Sequence, residues 1–455
     1  MLLIVKIFLG LIGLGIVVFI HELGHFLAAR LVGIEVEAFS IGWGNPILKK
    51  KVGGVEYRLG MFPVGGYCKM KGSSDYGTAE YKEVWENIKK GEKLDKSSFL
   101  GASPLSRIIV SFAGPFFNLV FAVVLLSIFW GVGFEMNTLG NRIILASEIT
   151  PGQQYPADTA GFQTGDRIIE IAGHEISYYH EVQENIALNP EKTLPVTVER
   201  EGEIVKLQVT PSLDKSSGAG KIGVYFWTDP VIENVAEGSP AALAGLLPGD
   251  VITGANGEAV RNSMDIAMVL DQRPDKLIID YERGGVTRQA ELSAEDLENG
   301  IGFSWAMVNY RTPDLSFPAA VVKGTKESYK TLSASVKSLR LLFKGIDLTQ
   351  AVSGPVRITY MMGDIAAQGF GQGVGTGLRS LINFISIISI ALCVMNLLPL
   401  PILDGGMIIL FLVEMIRRKP AHPRAITIFQ TCGMVIIFSL MIFAVFGDIL
   451  FFVRQ

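Results

Sequence analysis

The stretch Val17-Val18-Phe19-Ile20-His21-Glu22-Leu23-Gly24-His25-Phe26-Leu27-Ala28-Ala29 sets three ionisable side chains inside an apolar run that extends from Leu2 to Val32 and is otherwise nearly free of charge. A helix of about 20 apolar residues crosses the hydrocarbon core of a bilayer. Two histidines four apart lie on one face of such a helix and can share a zinc ion, with the glutamate between them placed to take a proton from water. The start of the run could pass for a signal peptide. Its only positive residue is Lys6, however, and the run continues through the His-Glu motif without a convincing cleavage site, so residues 1–30 read as a retained transmembrane helix. The bland reading of a His-Glu-x-x-His motif is a solvated polar face. Here that face would be buried in lipid without partners, which is costly.

The rest of the composition agrees with a membrane setting. Of 455 residues, 49% are hydrophobic, and the mean hydropathy of +0.38 is high for a soluble chain. The expectation is a polytopic α-helical membrane protein with substantial soluble parts. A net charge of -4, with no basic patch interleaved with aromatics, gives no reason to expect nucleic acid as a partner. Cys68, Cys393 and Cys432 are too scattered for a disulfide framework or a cysteine-based zinc site.

Outward from the motif, residues 31–71 alternate and are punctuated by glycines. Ile34–Ile41, Val55–Leu59 and Tyr67–Met70 read as strands of a small antiparallel sheet at the bilayer edge. Such backbone survives at membrane depth only where protein or a watery cavity satisfies it. Residues 72–103 read as a soluble loop with some helix. A second span, 104–132, carries Gly114-Pro115 and Asn118, read either as packing and a kink or as room for a helix to approach the metal.

A repeat follows. Ala160-Gly161-Phe162-Gln163-Thr164-Gly165-Asp166 is echoed by Ala244-Gly245-Leu246-Leu247-Pro248-Gly249-Asp250, about 84 residues on. The pattern resembles PDZ domains of the bacterial protease type, so 141–213 and 221–305 are expected to be two tandem PDZ domains. They would either bind extended peptide by strand addition or serve as bulk that restricts access. Residues 317–346 place lysines at helical spacing, which reads as a basic amphipathic helix on a membrane surface or as a solvated linker helix. The glycine-rich stretch Gly369–Gly377 reads as a hinge or loop.

The third span is expected at 378–398. It runs into Asn396-Leu397-Leu398-Pro399-Leu400-Pro401-Ile402-Leu403-Asp404-Gly405-Gly406, where the prolines must break the helix. Residues 399–424 form this broken segment and a loop, and 425–453 the fourth span. Lys49–Lys51, Arg58, Lys69 and Lys71 lie between spans one and two, and Arg417, Arg418, Lys419 and Arg424 between three and four. The positive-inside rule makes both connections cytoplasmic. The repeat and both termini are then extracytoplasmic, and the motif and Asp404 fall toward the cytoplasmic half.

A hydrolytic zinc usually has three protein ligands. His174, His180 and His422 lie outside the spans, so Asp404, an ionisable residue in a broken membrane segment, is the best third candidate beside His21 and His25. Glu22 is the candidate base.

The two motifs, with the Phe112-Ala113-Gly114-Pro115 stretch and the glycine-rich strands, resemble the site-2 protease family of intramembrane zinc metalloproteases over essentially the whole length. The resemblance implies Zn2+ on His21, His25 and Asp404, Glu22 as base, and Asn396 helping to hold substrate near the scissile bond. It also implies a bacterial inner-membrane setting with the PDZ pair in the periplasm. The implied substrates are pre-trimmed transmembrane proteins of the anti-sigma-factor type and remnant signal peptides, cleaved in envelope stress signalling. Because a transmembrane helix hides its carbonyls in its own hydrogen bonds, an unwound substrate is expected to add as a strand along Tyr67, Cys68, Lys69 and Met70. Rival readings are a non-catalytic membrane scaffold with structural zinc and a metal-ion transporter.

Overall fold

The structure is a computed structural model that describes residues 2–73, 81–82, 85–86, 90, 94–150, 152–215, 217–272, 274–293, 300–312, 315–341, 354–371 and 373–453. Residues 74–80, 83–84, 87–89 and 91–93 of the 72–103 connection and the 342–346 end of the basic helix lie outside them. The chain divides into two units, residues 134–312 and the two segments flanking them.

The first helix, α1 (Leu2–Leu31), leads into β1 (Val36–Val52) and β2 (Val55–Met70). These two strands are long and bent, where three short ones were expected from the glycine spacing. Ser40 pairs with both Arg58 and Tyr67, while Lys49 pairs with Arg58 on its other side. The lateral order is therefore 46–52, 55–60, 36–41, 66–70, four rows made from one hairpin. Glycines at positive φ, Gly42, Gly44 and Gly65, sit where the rows bend, as the left-handed region demands. The stretch Tyr67–Met70 is an outer row, paired on one side with residues 36–40. Phe39 packs its ring on Phe26 of α1 at 5.2 Å and fixes the sheet to that helix.

The next helix, α2 (Pro104–Val132), starts on a Ser103 cap with proline in its first turn and contains Pro115.

Within residues 134–312 the repeat is visible as structure. The first copy contains β3 (Arg167–Ile171), β4 (His174–Glu175), α3 (Tyr179–Ala187), β5 (Leu194–Arg200) and β6 (Glu203–Val209). The second contains β7 (Val251–Ala255), β8 (Glu258–Ala259), α4 (Ser263–Asp271), β9 (Lys276–Arg283) and β10 (Val286–Ser293). Both four-stranded sheets have the same order, β4-β3-β5-β6 and β8-β7-β9-β10, and each copy closes its own apolar core. The aspartate of the repeated Gly-Asp has the same task twice. Asp166 accepts two bonds from Arg200 at 2.7 and 2.8 Å, and Arg200 also bonds the Gly161 carbonyl. Asp250 accepts two from Arg283 at 2.6 Å each, and Arg283 bonds the Gly245 carbonyl. Such bidentate, charge-assisted pairs lock a loop to a strand end.

The chain continues through α5 (Phe317–Leu341), α6 (Pro355–Gly371), α7 (Val374–Asn396), α8 (Asp404–Arg417) and α9 (Pro423–Val453). Among the described helices, four are long and apolar enough to cross a membrane: Gly10–Leu31, Pro104–Val132, Val374–Asn396 and Pro423–Leu450. The basic helix α5 lies along α2, with Gly324 against Ser127 and the Lys323 ammonium 4.6 Å over the Trp130 ring.

Three expectations need correction. The glycine-rich stretch is mostly helical: α6 runs to Gly371 and α7 resumes at Val374, with Gly369 seated against Gly377. Its glycines serve close helix packing, and the third span accordingly begins before residue 378. Second, residues 355–368, given no element from sequence, form most of α6. Its N-terminus is capped from afar by Asp448 of α9, whose carboxylate accepts from the amides of Gly354, Val356 and Arg357 at 2.8–3.1 Å. Third, 399–424 is chiefly helix α8, the loop being confined to a few residues on either side.

Candidate metal centre

Three elements converge on His21 and His25. On α1 the two rings lie on one face, with their Nε2 atoms 3.2 Å apart. The broken segment after α7 brings Asp404 to them as the first residue of α8, where the positive end of the helix favours a carboxylate. Asp404 Oδ2 is 3.2 Å from His21 Nε2, and Oδ1 is 3.5 Å from His25 Nε2. The break is tight. A side chain on Gly405 would strike the Leu397 and Leu398 carbonyls, and one on Gly406 the Leu400 carbonyl. Ile402, a β-branched residue, is held at φ 79°, backbone strain of the kind that collects beside functional side chains.

The third element is α2. Gly24 of α1 sits against the Ala113 carbonyl, and a methyl on Gly114 would lie 2.5 Å from His25 Nε2 and 2.8 Å from His21 Cε1. Gly114 therefore allows the close approach, the second of the two readings of that stretch. The same helix holds both rings from behind. His25 Nδ1 lies 2.8 Å from the Val110 carbonyl, an acceptor only, so Nδ1 carries the proton and Nε2 presents its lone pair. His21 Nδ1 is 3.3 Å from the fully buried amide of Asn118, and Ser389 of α7 donates to the Asn118 carbonyl at 2.8 Å. Asn118 stands out in the sequence as a polar residue within a span; the Val110 carbonyl carries no sequence signal at all.

Two imidazole lone pairs and a carboxylate crowded together repel unless a cation lies among them. Ligand atoms on bonds of about 2.0–2.1 Å at tetrahedral angles stand about 3.3 Å apart, close to the 3.2 Å between the two Nε2 atoms, while one Asp404 oxygen lies 3.2 Å from His21 Nε2 and the other 3.5 Å from His25 Nε2. Asn118 Oδ1, without a partner among the described residues, fits as well. If that amide is turned end for end, a choice the hydrogen-bond pattern must decide, Oδ1 accepts from His21 Nδ1–H, the tautomer that frees Nε2 for a metal. The donor set thus fits Zn2+. Among the described residues no other group of histidine, cysteine, aspartate and glutamate atoms is so gathered, and His174, His180 and His422 are exposed.

Glu22 is half-buried on α1, and a side chain on Gly66 would lie 3.3 Å from its Cγ. The outer row of the hairpin therefore starts beside it. Asn396, half-buried, is the last residue of α7.

An apolar helix bundle that buries a His-Glu-x-x-His motif opposite an aspartate defines a membrane-embedded metal hydrolase. Comparison with known proteins names the class. The peptidase family M50 model matches residues 9–440. Proteins named "Putative zinc metalloprotease" match from Treponema pallidum (34% identity over 98% of this chain and 99% of that protein) and Neisseria meningitidis (32%; 95% and 96%). The "Regulator of sigma E protease" of Haemophilus influenzae matches at 30% over 97% of each chain. The chain belongs to peptidase family M50, the site-2 proteases, and is a membrane zinc metalloprotease.

Proposed function

We propose that this protein hydrolyses peptide bonds of transmembrane segments, with His21, His25 and Asp404 holding Zn2+ and Glu22 as general base. The observation that carries the reading is the gathering of both imidazole Nε2 atoms and the Asp404 carboxylate within 3.5 Å of one another, at a site walled by α1, α2 and α8. Zinc at this site supplies Lewis acidity, polarising a scissile carbonyl and lowering the pKa of water toward about 7. The chain's own residues do the rest. The Val110 carbonyl and Asn118 hold the two imidazoles in one orientation. Glu22 takes a proton from the attacking water and passes it to the departing amine, so the peptide yields a carboxylate and an amine with no other reactant.

An α-helical substrate must unwind before a carbonyl is exposed. The Tyr67–Met70 row, paired on one side only among the described residues, supports a proposal that unwound substrate adds there as a strand, with Asn396 contributing near the scissile bond. A proline scan of Tyr67 to Met70 should lower cleavage while zinc stays bound; unchanged cleavage across the scan would sink this part. We take residues 141–213 and 221–305 to be PDZ domains acting as a filter against substrates with large outer domains. Deleting 141–305 should then permit cleavage of untrimmed substrate, whereas loss of cleavage of trimmed substrate would favour peptide binding instead. The lysine and arginine clusters support an inner-membrane orientation with the site toward the cytoplasm and the repeat and both termini in the periplasm. The relative named for sigma E regulation supports anti-sigma factors, with remnant signal peptides, as substrates in envelope stress signalling.

The deciding experiment reconstitutes the full chain with a transmembrane substrate, with and without chelator. Glu22→Gln should abolish cleavage while one zinc per chain remains. A Glu22→Gln protein that still cleaves, or a wild type indifferent to the chelator, would return the reading to a scaffold or a transporter.

A further inference from the structure

A second site lies away from the metal, where α2 begins and α8 ends. A cavity of about 470 Å3 opens there, with Arg107, Arg418 and Lys419 among its walls and Leu100, Pro104 and Met415 as apolar lining. Its one acidic wall residue, Glu414, is already engaged. Glu414 Oε2 is 2.8 Å from Arg107 Nη2, and Oε1 accepts from the Ala421 amide at 2.8 Å.

Arg107 is the informative residue. It is 6% exposed, its guanidinium is 4.7 Å over the Phe411 ring, and only one edge is used by Glu414. Its Nε–H is buried without an acceptor among the described residues. A buried donor of that kind normally has a partner. The N-terminus of α2, a 29-residue helix whose first residue is Pro104, also faces this wall and favours negative charge. Arg418 occupies the left-handed position that ends α8, φ 52°, where glycine is the usual residue. An arginine there supplies charge that glycine lacks.

We infer that this cavity binds a phosphate-ester anion, and that the anion is the headgroup phosphate of an acidic phospholipid. Arg418 and Lys419 contact the phosphate and Arg107 forms the back wall. The apolar lining, and the position at the shared end of two apolar helices, suit the glycerol and first acyl carbons better than a free ion. Bound in this way, the lipid bridges α2, which presents Gly114 and Asn118, to α8, which carries Asp404.

The test uses the full chain in neutral detergent, titrated with dioctanoyl phosphatidylglycerol, dioctanoyl phosphatidylcholine or inorganic phosphate. Thermal stability and bound-lipid count by native mass spectrometry are the readouts. The acidic lipid should bind one per chain and raise the melting temperature, with phosphatidylcholine at least tenfold weaker. Saturation by inorganic phosphate at the same concentrations would keep the anion site and assign it a free ion. The variant Arg418→Gly with Lys419→Gln keeps the fold, since glycine suits the left-handed turn, and should weaken the acidic lipid roughly tenfold or more. Arg424→Gln, exposed outside the cavity, should change little. The inference fails if the double variant binds within twofold of wild type, or if Arg424→Gln weakens binding as much.

Discussion

Adding one methyl group at Gly114 tests how the centre is assembled. An alanine Cβ there would lie 2.5 Å from His25 Nε2, 2.7 Å from His25 Cε1 and 2.8 Å from His21 Cε1. Ordinary carbon contacts are about 3.5–4.0 Å, so both rings must withdraw by roughly 1 Å, or α1 must part from α2. The second course is resisted because Gly24 already seats α1 against the Ala113 carbonyl. A shift of about 1 Å is half a zinc–nitrogen bond, and misplacement on that scale costs on the order of 100-fold in rate. We expect Gly114→Ala to lose zinc to a competing chelator at roughly 10–100-fold lower concentration than wild type, with cleavage falling at least in proportion. Gly131→Ala on the same helix is the control. Its methyl would meet only the Ala320 methyl, at 3.3 Å, so full zinc content and activity should remain. Wild-type zinc affinity and turnover in Gly114→Ala would refute the packing argument.

Other expectations follow from the same contacts. Asn118→Ala should leave the fold largely intact but lower zinc affinity roughly 10–100-fold, as loss of a ligand-orienting partner does; chelator competition on purified protein reads it out, and unchanged affinity would remove Asn118 from the centre. In the second repeat copy, burial alone would raise the Asp250 pKa, but the Arg283 guanidinium, the Leu247 amide and the charge of Arg283 more than offset it, so the carboxyl titrates below its ordinary value. A lowered folded-state pKa contributes stability above the unfolded value near 4 and loses it as pH falls through the folded value. Arg283→Ala should therefore destabilise this copy at pH 7 and flatten or reverse its acid loss below about pH 4. Hydrogen exchange confined to 232–305 would measure it, and equal acid sensitivity in both proteins would count against the pair.

What could be read in advance was mostly local. His21, Glu22 and His25 occupy one helical stretch, and the Pro399–Pro401 break announces itself, so three of the side chains around the centre and the approximate place of the fourth were legible. The repeat was legible because its Gly-Asp loops return almost unchanged. Other features depend on partners distant in the chain. Helix α6 escaped notice because its cap, Asp448, lies more than ninety residues beyond the amides it caps, and because its glycine-rich end imitates a loop until packed on Gly377. The double pairing of residues 36–41 requires bends that alternation alone does not reveal. The Val110 contact is made by a backbone carbonyl, which any residue supplies.

The distant cap has a consequence for biosynthesis. The amides of Gly354, Val356 and Arg357 have no Asp448 to grip until α9 has left the ribosome. Helix α6, which packs Thr359 and Met362 onto Gly10 and Gly13 of the motif-bearing α1, therefore receives its anchor only after α7 and α8 have been made. Asp404 is likewise made some 380 residues after His25. A nascent chain can insert its first two spans beside other membrane proteins while carrying His21 and His25 but not yet Asp404. Order of synthesis thus acts as a safeguard, keeping His21 and His25 apart from Asp404 until α1, α2 and α7 have all been made.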